Sequence, residues 1–270
     1  MNTGIPKRII QTGKTSDLPL LSKAVVANIR LLNPDFEYLF FDNDQVLEFI
    51  DQQFPKYRQT FNAFRVPIQR YDFFRYLAVY HFGGFYFDLD VFLAFGLSPL
   101  LEFSCVFPFE EISINKALRQ HYGMDWEIGN YAFGAAAGHP FLRAIIENCV
   151  KSQKDEKWVE IMMKPIPRIF REDFYVLNTT GPGVVSRTLA EYPDAASEVK
   201  VLFPENVCDP AYWHRFGSFG VHLQEATWRR KKSYLRRRLT WLWASWRSSK
   251  LLEESRKFGE KRSVGLKTIV

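Results

Sequence analysis

The stretch Arg70–Val91, RYDFFRYLAVYHFGGFYFDLDV, constrains this chain more than any other. Helical spacing runs over Val66–Phe82, with Pro67 tolerated in the first turn. It stops at Gly83-Gly84, where left-handed backbone is easily reached. FYFDLDV follows at once, with the period of two expected of a strand over Phe85–Val91. A helix that turns straight back into a strand packs against it, so this segment predicts one helix–strand unit of a layered fold. The surrounding pattern agrees. Lys7–Ile10 reads as a strand, and Leu18–Leu32 as a helix with Leu21, Val25, Ile29 and Leu32 on one face. Asn33-Pro34 ends that helix, Phe36–Phe41 reads as a buried strand, and Asp42 or Asn43 caps a helix that reaches Phe49. Further on, Cys105–Phe109, Tyr131–Ala137, Val199–Phe203 and Phe219–Leu223 are strand candidates, and Pro140–Val150 and Val184–Tyr192 helices. Strands alternating with helices imply an α/β fold with a mixed, mainly parallel sheet flanked by helices.

Charge divides the chain. Residues 229–270 hold 14 Lys+Arg against 3 Asp+Glu, a net of +11, whereas the whole chain is only +6, which leaves −5 for residues 1–228. An acidic globule followed by a basic tail is therefore expected: a catalytic domain over 1–228 and a Trp-rich amphipathic tail over 229–270. The composition, 47% hydrophobic and 24% charged, excludes global disorder. No apolar run reaches the roughly 18–20 residues that span a bilayer, and the N-terminal residues lack a signal-peptide core. Cys105, Cys149 and Cys208 form no C-x-x-C pair, which argues against a structural zinc site or a disulfide framework.

On a strand, Tyr86, Asp88 and Asp90 share a face, and Phe87, Leu89 and Val91 take the other. Two carboxylates among large apolar residues need a compensating partner, and a divalent cation with oxygen ligands supplies one. Ligands in open α/β folds bind beyond the carboxyl ends of strands. D-x-D alone is common, and its plain alternative is a solvated strand end. Asp72 and Arg75, three apart on the preceding helix, share a face. Their plain reading is a surface ion pair, but the Gly-Gly return brings both to the cleft of Asp88 and Asp90.

At this point the chain resembles glycosyltransferase family 32, the DXD-containing sugar transferases that include fungal initiating mannosyltransferases and bacterial capsule and lipopolysaccharide enzymes. IPKRIIQT at Ile5–Thr12 resembles the family's opening strand. Asn33-Pro34 with its following strand and Asp42, Tyr71–Val91, Asn130, Gly138–Pro140, Thr180–Pro182 and HLQEATW at His222–Trp228 resemble later elements in the family's order. The resemblance covers residues 5–228. It implies a GT-A-type, Rossmann-like fold and a retaining, metal-dependent transfer of a sugar from a UDP- or GDP-linked donor. A glycan or lipid-linked acceptor is implied too, in cell-surface polysaccharide synthesis. Asp90 is implied as a direct ligand of Mn²⁺ or Mg²⁺, with Asp88 beside it on ribose, sugar or metal, and His222 as a third metal or diphosphate contact. Asp72 and Arg75 are implied to hold donor hydroxyls, and Ile9, Gln11, Thr12, Tyr76, Tyr86, Asn130 and Trp228 to line the donor site. Glu225, Thr227 and Trp228 form an implied lid, and His139 a structural turn. Retention by front-face attack and by a covalent intermediate both stay open.

In the tail, Leu235, Leu239, Leu242 and Trp246 fall on one helical stripe flanked by Arg229–Lys232 and Arg236–Arg238. Such a C-terminal amphipathic helix suits the surface of an anionic membrane, over 229–257. A helix docked on the domain is the second reading. Nucleic acid is set aside, although basic runs with aromatics also bind it. The expected location is cytoplasmic, at the inner face of the membrane. Two other functions are consistent with the motif: a sugar-nucleotide-binding protein without turnover, and a D-x-D phosphatase, although Phe92 stands where such phosphatases carry Thr or Val.

Overall fold

The computed structural model describes residues 4–113, 115–224, 246–247 and 249–257. In chain order the elements are β1 Arg8–Thr12, α1 Leu20–Leu32, β2 Glu37–Phe41, α2 Asn43–Gln53, α3 Arg58–Ala63, α4 Pro67–Phe82, β3 Gly84–Phe87 and β4 Val91–Leu93. There follow β5 Cys105–Ile112, α5 Lys116–Tyr122, β6 Trp126–Ile128, β7 Ala132–Ala135, α6 Pro140–Lys154, α7 Glu156–Met163, α8 Arg171–Thr179 and α9 Pro182–Glu191. The last are α10 Ala195–Glu198, β8 Lys200–Leu202, β9 Arg215–Phe216 and β10 Gly220–His222. The large sheet has the order β2-β1-β3-β7-β5-β6, with β8 also on β5, and the small one the order β4-β10-β9. Pairs β1–β2, β1–β3 and β5–β8 are parallel, and β3–β7, β5–β7 and β5–β6 antiparallel, so the sheet is mixed.

Period-two alternation sends consecutive residues of β1 and β3 into different cores. Ile9, Phe85 and Phe87 pack with Val25 and Ile29 of α1, whereas Ile10 and Tyr86 pack with α4 and α6. Helices thus cover both faces. The packing explains why α4 lacks a polar stripe: Phe73, Phe74, Leu77, Ala78 and Val79 are all fully buried, and its polar members Gln69, Asp72 and Arg75 are buried too. Asp42 caps α2, its carboxylate accepting from the backbone N–H groups of Asp44 and Gln45 at 3.1 and 3.0 Å. The α4–β3 joint depends on Gly84, at φ +106°, where a Cβ would lie 2.6 Å from the Arg8 carbonyl oxygen. Nothing but hydrogen fits between these strands.

The expected strand Phe85–Val91 is two strands in two sheets. β3 stops at Phe87; the Asp88 N–H donates to the Tyr131 carbonyl at 2.7 Å, and the Val91 N–H closes a turn onto the Asp88 carbonyl at 3.2 Å. Val91 then opens β4, which pairs with β10 through Val91↔His222. The turn keeps two carboxylates out of a fully buried ladder, where they would be costly. Asp88 and Asp90 are partly exposed at this joint.

The tail is described only over residues 246–247 and 249–257. Residues 249–257 are helical, with Leu251 buried against Phe109, Ile112 and Trp213. Arg119 pairs with Glu254 at 2.8 Å, and Arg247 with Glu111. This described part of the expected amphipathic tail packs against the domain. Most of the apolar stripe, including Leu235, Leu239 and Leu242, lies outside the described residues. Among the described residues no helix is long and apolar enough to cross a membrane.

Candidate active site

The site forms where the joint between the sheets meets the buried face of α4. Asp72 and Arg75, one turn apart, are ion-paired at 3.0 Å, with side chains only 7% and 4% exposed. The Arg75 fork reaches further. One nitrogen also lies 3.2 Å from Asp88, and the other donates to Asp88 at 3.3 Å and to the Asn130 carbonyl at 2.7 Å. The guanidinium sits 4.8 Å from the ring centre of Tyr86, whose hydroxyl donates to Asp88 at 2.9 Å. Burial works against the Arg75 charge, but Asp88, Tyr86 and Asp72 outweigh it and hold its proton more tightly than usual.

Asp72 is the floor of this network. It accepts from Thr180 Oγ1 at 2.9 Å and from the Asn130 amide at 3.3 Å. The same amide donates to the Tyr76 hydroxyl at 2.8 Å, and that hydroxyl to the Thr180 carbonyl at 2.7 Å. Burial pushes the Asp72 carboxyl up to about 6, against the pull of Arg75. Burial also raises Asp88, with Arg75 opposing and Asp90 reinforcing.

On the other side of the joint, His222 Nε2 lies 3.3 Å from Asp90 Oδ2. The imidazole stacks on Tyr131, with ring centres 4.3 Å apart and planes 17° off parallel. Burial disfavours a charged His222, but its hydrogen bond with Asp90 and the neighbouring Asp88 raise it overall. Ligand atoms of Asp88, Asp90 and His222 all lie within 4.8 Å of one another, as donors to one metal ion would. The charges fit as well: Asp72, Asp88 and Asp90 carry three negative charges against one from Arg75, a deficit that a divalent cation balances. Two carboxylates and an imidazole suit Mn²⁺ or Mg²⁺ better than thiolate-seeking metals.

The remaining expected residues divide. Gln11 is buried beneath the D-x-D turn, its amide donating to the carbonyls of Phe87 and Asp88 at 3.3 and 3.4 Å. Thr12 donates to the Phe41 carbonyl at 2.7 Å. The Ile9 side chain is 1% exposed in the core with Ile5 and Phe85, a packing position. Asp72 and Arg75, expected on sugar hydroxyls, pair with each other and with Asp88, Asn130 and Thr180, and Arg75 Nε is buried without a hydrogen-bond partner among the described residues. His139 caps α6, its Nδ1 accepting from the Phe141 N–H at 3.2 Å. Trp228, Glu225 and Thr227 lie outside the described residues. Thr180 was within reach of sequence reasoning as part of the Thr-Gly-Pro element, but its bond to Asp72 was not. Glu110, Tyr131 and His214 carried no pattern; only the tertiary fold brings them to His222.

Comparison with known proteins accords with this geometry. The family model described as "glycosyltransferase sugar-binding region containing DXD motif" matches residues 21–107, which include Asp72, Arg75, Asp88 and Asp90. Mannosyl phosphorylinositol ceramide synthase SUR1 of Saccharomyces cerevisiae is 27% identical over 234 residues, covering 82% of this chain and 53% of that protein. Inositol phosphoceramide mannosyltransferase 3 of Schizosaccharomyces pombe is 31% identical over 147 residues, 54% of this chain and 38% of its own length. The chain thus spans about half or less of the length of these relatives. Among solved structures, the UDP-bound glycosyltransferase domain of the YGT toxin superposes with a TM-score of 0.51 at 10% identity, over 74% of this chain and 80% of that domain. The architecture is that of the GT-A glycosyltransferases. Within that class, residues 21–107 are similar to the DXD-containing sugar-binding region of glycosyltransferases.

Proposed function

We propose that the chain is a metal-dependent, retaining glycosyltransferase that moves a hexose from a nucleotide sugar to a glycan or lipid-linked acceptor. The observation that carries this reading is the convergence of Asp88, Asp90 and His222 within 4.8 Å at the joint of the two sheets. Asp90 and His222 are the direct ligands, and Asp88 is shared between the cation side and Arg75. A divalent cation bound there supplies Lewis-acid stabilisation of the diphosphate leaving group. The chain's own residues do the rest. Arg75 fixes both oxygens of Asp88 in one orientation, and Tyr86 holds that carboxylate from behind. Asp72, Asn130, Tyr76 and Thr180 brace Arg75 and form the polar floor under the donor. Preorganised dipoles of this kind act on developing charge without reorganising during reaction.

Two relatives are named for mannosylation of inositol phosphoceramides, which makes a mannosyl donor and a lipid-borne acceptor the first pair to try. The basic run RRKKSYLRRR at 229–238 supports a membrane-surface location for such an acceptor. A role in capsule or lipopolysaccharide synthesis is one setting for that chemistry.

The test is nucleotide release from a panel of UDP- and GDP-sugars, with Mn²⁺, with Mg²⁺ and with EDTA, beside Asp90→Asn. Release that needs both metal and Asp90 is expected with one donor. Metal-independent release, or full activity in a folded Asp90→Asn protein, refutes the reading. Product stereochemistry by NMR tests retention, and sedimentation of the full chain with anionic vesicles tests the membrane location.

A further inference from the structure

The metal ligand His222 has a second nitrogen. Its Nδ1 is buried and, among the described residues, without a hydrogen-bond partner. A metal-bound imidazole is normally oriented by the group that accepts its other N–H, a carboxylate, a carbonyl or a water. In the same region one carboxylate oxygen has the complementary defect: among the described residues Glu110 Oε2 is buried with no donor, while Oε1 lies 3.2 Å from His214 Nδ1, an ionic contact too poorly aligned for a hydrogen bond.

Three backbone positions tie these groups together. The His214 N–H donates to the Glu110 carbonyl at 3.3 Å, and the His222 N–H to the His214 carbonyl at 3.0 Å. His214 sits between them in the left-handed region, at φ +56°, a strained backbone for a non-glycine residue and one that the fold must hold in place. Gly129 adds an independent indication. A Cβ there would lie 2.4 Å from Glu110 Oε2 and 2.5 Å from a ring carbon of Tyr131, the ring on which His222 stacks. Glycine therefore leaves the free carboxylate oxygen room beside the Tyr131–His222 stack.

We infer that Glu110 is a positioning residue for the metal site: its Oε2 accepts the hydrogen bond of the His222 Nδ1–H across one water, and so directs Nε2 at the cation. Oε1, meanwhile, is held by His214, and Tyr131 blocks rotation of the imidazole. The inference rests on the cation site proposed above. Glu110 touches neither substrate nor metal, and it acts through His222.

Two measurements on the full chain test it. In histidine side-chain ¹⁵N NMR of the Mg²⁺-bound protein, His222 is expected with its remaining proton on Nδ1, and Glu110→Gln should disturb that signature. In Mn²⁺ titrations followed by EPR, Glu110→Gln is expected to weaken binding by about 10-fold, within the range seen for such outer partners. Gly129→Ala keeps the carboxylate but takes its space, and should weaken Mn²⁺ similarly if Glu110→Gln folds poorly. Asp90→Asn separates the two readings. If it loses Mn²⁺ while Glu110→Gln and Gly129→Ala bind as wild type does, the positioning role is wrong and the cation site stands. If wild type binds no Mn²⁺, the cation site fails, and the inference fails with it. A His222 that keeps its proton on Nε2 at saturating Mg²⁺ overturns the assignment directly.

Discussion

Arg75→Lys removes a fork and keeps a charge, which makes it the sharpest probe of the buried network. Arg75 makes contacts of 3.0 Å to Asp72, 3.2 and 3.3 Å to Asp88 and 2.7 Å to the Asn130 carbonyl from two nitrogens. A single ammonium cannot occupy both nitrogen positions, so about two charge-assisted hydrogen bonds are lost, each worth roughly 1.5–3 kcal/mol. The Asp88 side chain is 27% exposed, so its share is partly screened by water. The Asp72 share is not, because that carboxylate is buried. The retained positive charge spares the larger penalty, about 3–5 kcal/mol, of a buried carboxylate with no cation at all. A loss of about 3 kcal/mol is expected, measured by urea unfolding monitored by tryptophan fluorescence, with donor turnover lost as Asp88 drifts. Pairing the change with Asp72→Asn in a double-mutant cycle should give a coupling of about 1 kcal/mol or more. A loss below about 1 kcal/mol, or additivity with Asp72→Asn, would show that the fork does not bridge these carboxylates and would refute the reasoning.

Asp72 has a folded-state pKa of about 6 against an ordinary 3.8, so its contribution favours folding below about pH 4 and is lost as pH rises through about 6. Asp72→Asn should flatten that part of the stability profile, and an unchanged slope in urea unfolding across this window counts against the assignment. Thr180→Val deletes the hydroxyl that donates to Asp72 at 2.9 Å and should cost about 1–3 kcal/mol, again by urea unfolding. Gly84→Ala places a methyl 2.6 Å from the Arg8 carbonyl at φ +106°. Soluble yield and Tm should both drop steeply, and a wild-type Tm would mean the strands are not so close. Leu251→Ala should cost about 2–5 kcal/mol if the tail helix is part of the domain's core, and far less if it docks loosely.

Local signals made the site's parts legible in the sequence, but long-range contacts settled their arrangement. The α4–β3 unit is written in contiguous residues: Pro67 opens the helix, Gly83-Gly84 turns it, and alternation defines the strand. Alternation could not show where that strand ends. Phe87 and Val91 look alike as strand residues, and the break between them depends on the Tyr131 carbonyl, over forty positions away. Arg75 was visible as a partner of Asp72, because three-residue spacing on a helix is a local fact. Its reach to Asn130 was not, and neither was the Asp72–Thr180 bond, which spans 108 positions. The burial of Ile9 was not legible for a related reason: a residue in a strand beside a site is as easily turned to the core, and only the partner strands decide which.

The break between β3 and β4 has one more consequence. Asp88 belongs to the end of the large sheet, whereas Asp90 and His222 belong to the small one, and an ion gripping all three would rivet two otherwise separately hydrogen-bonded layers. Donor and metal would then act as a removable seam in the architecture. Amide exchange in β4 and β10 should slow when Mn²⁺ and nucleotide bind, while exchange in β2, at the edge of the large sheet and one strand removed from β3, stays as it was.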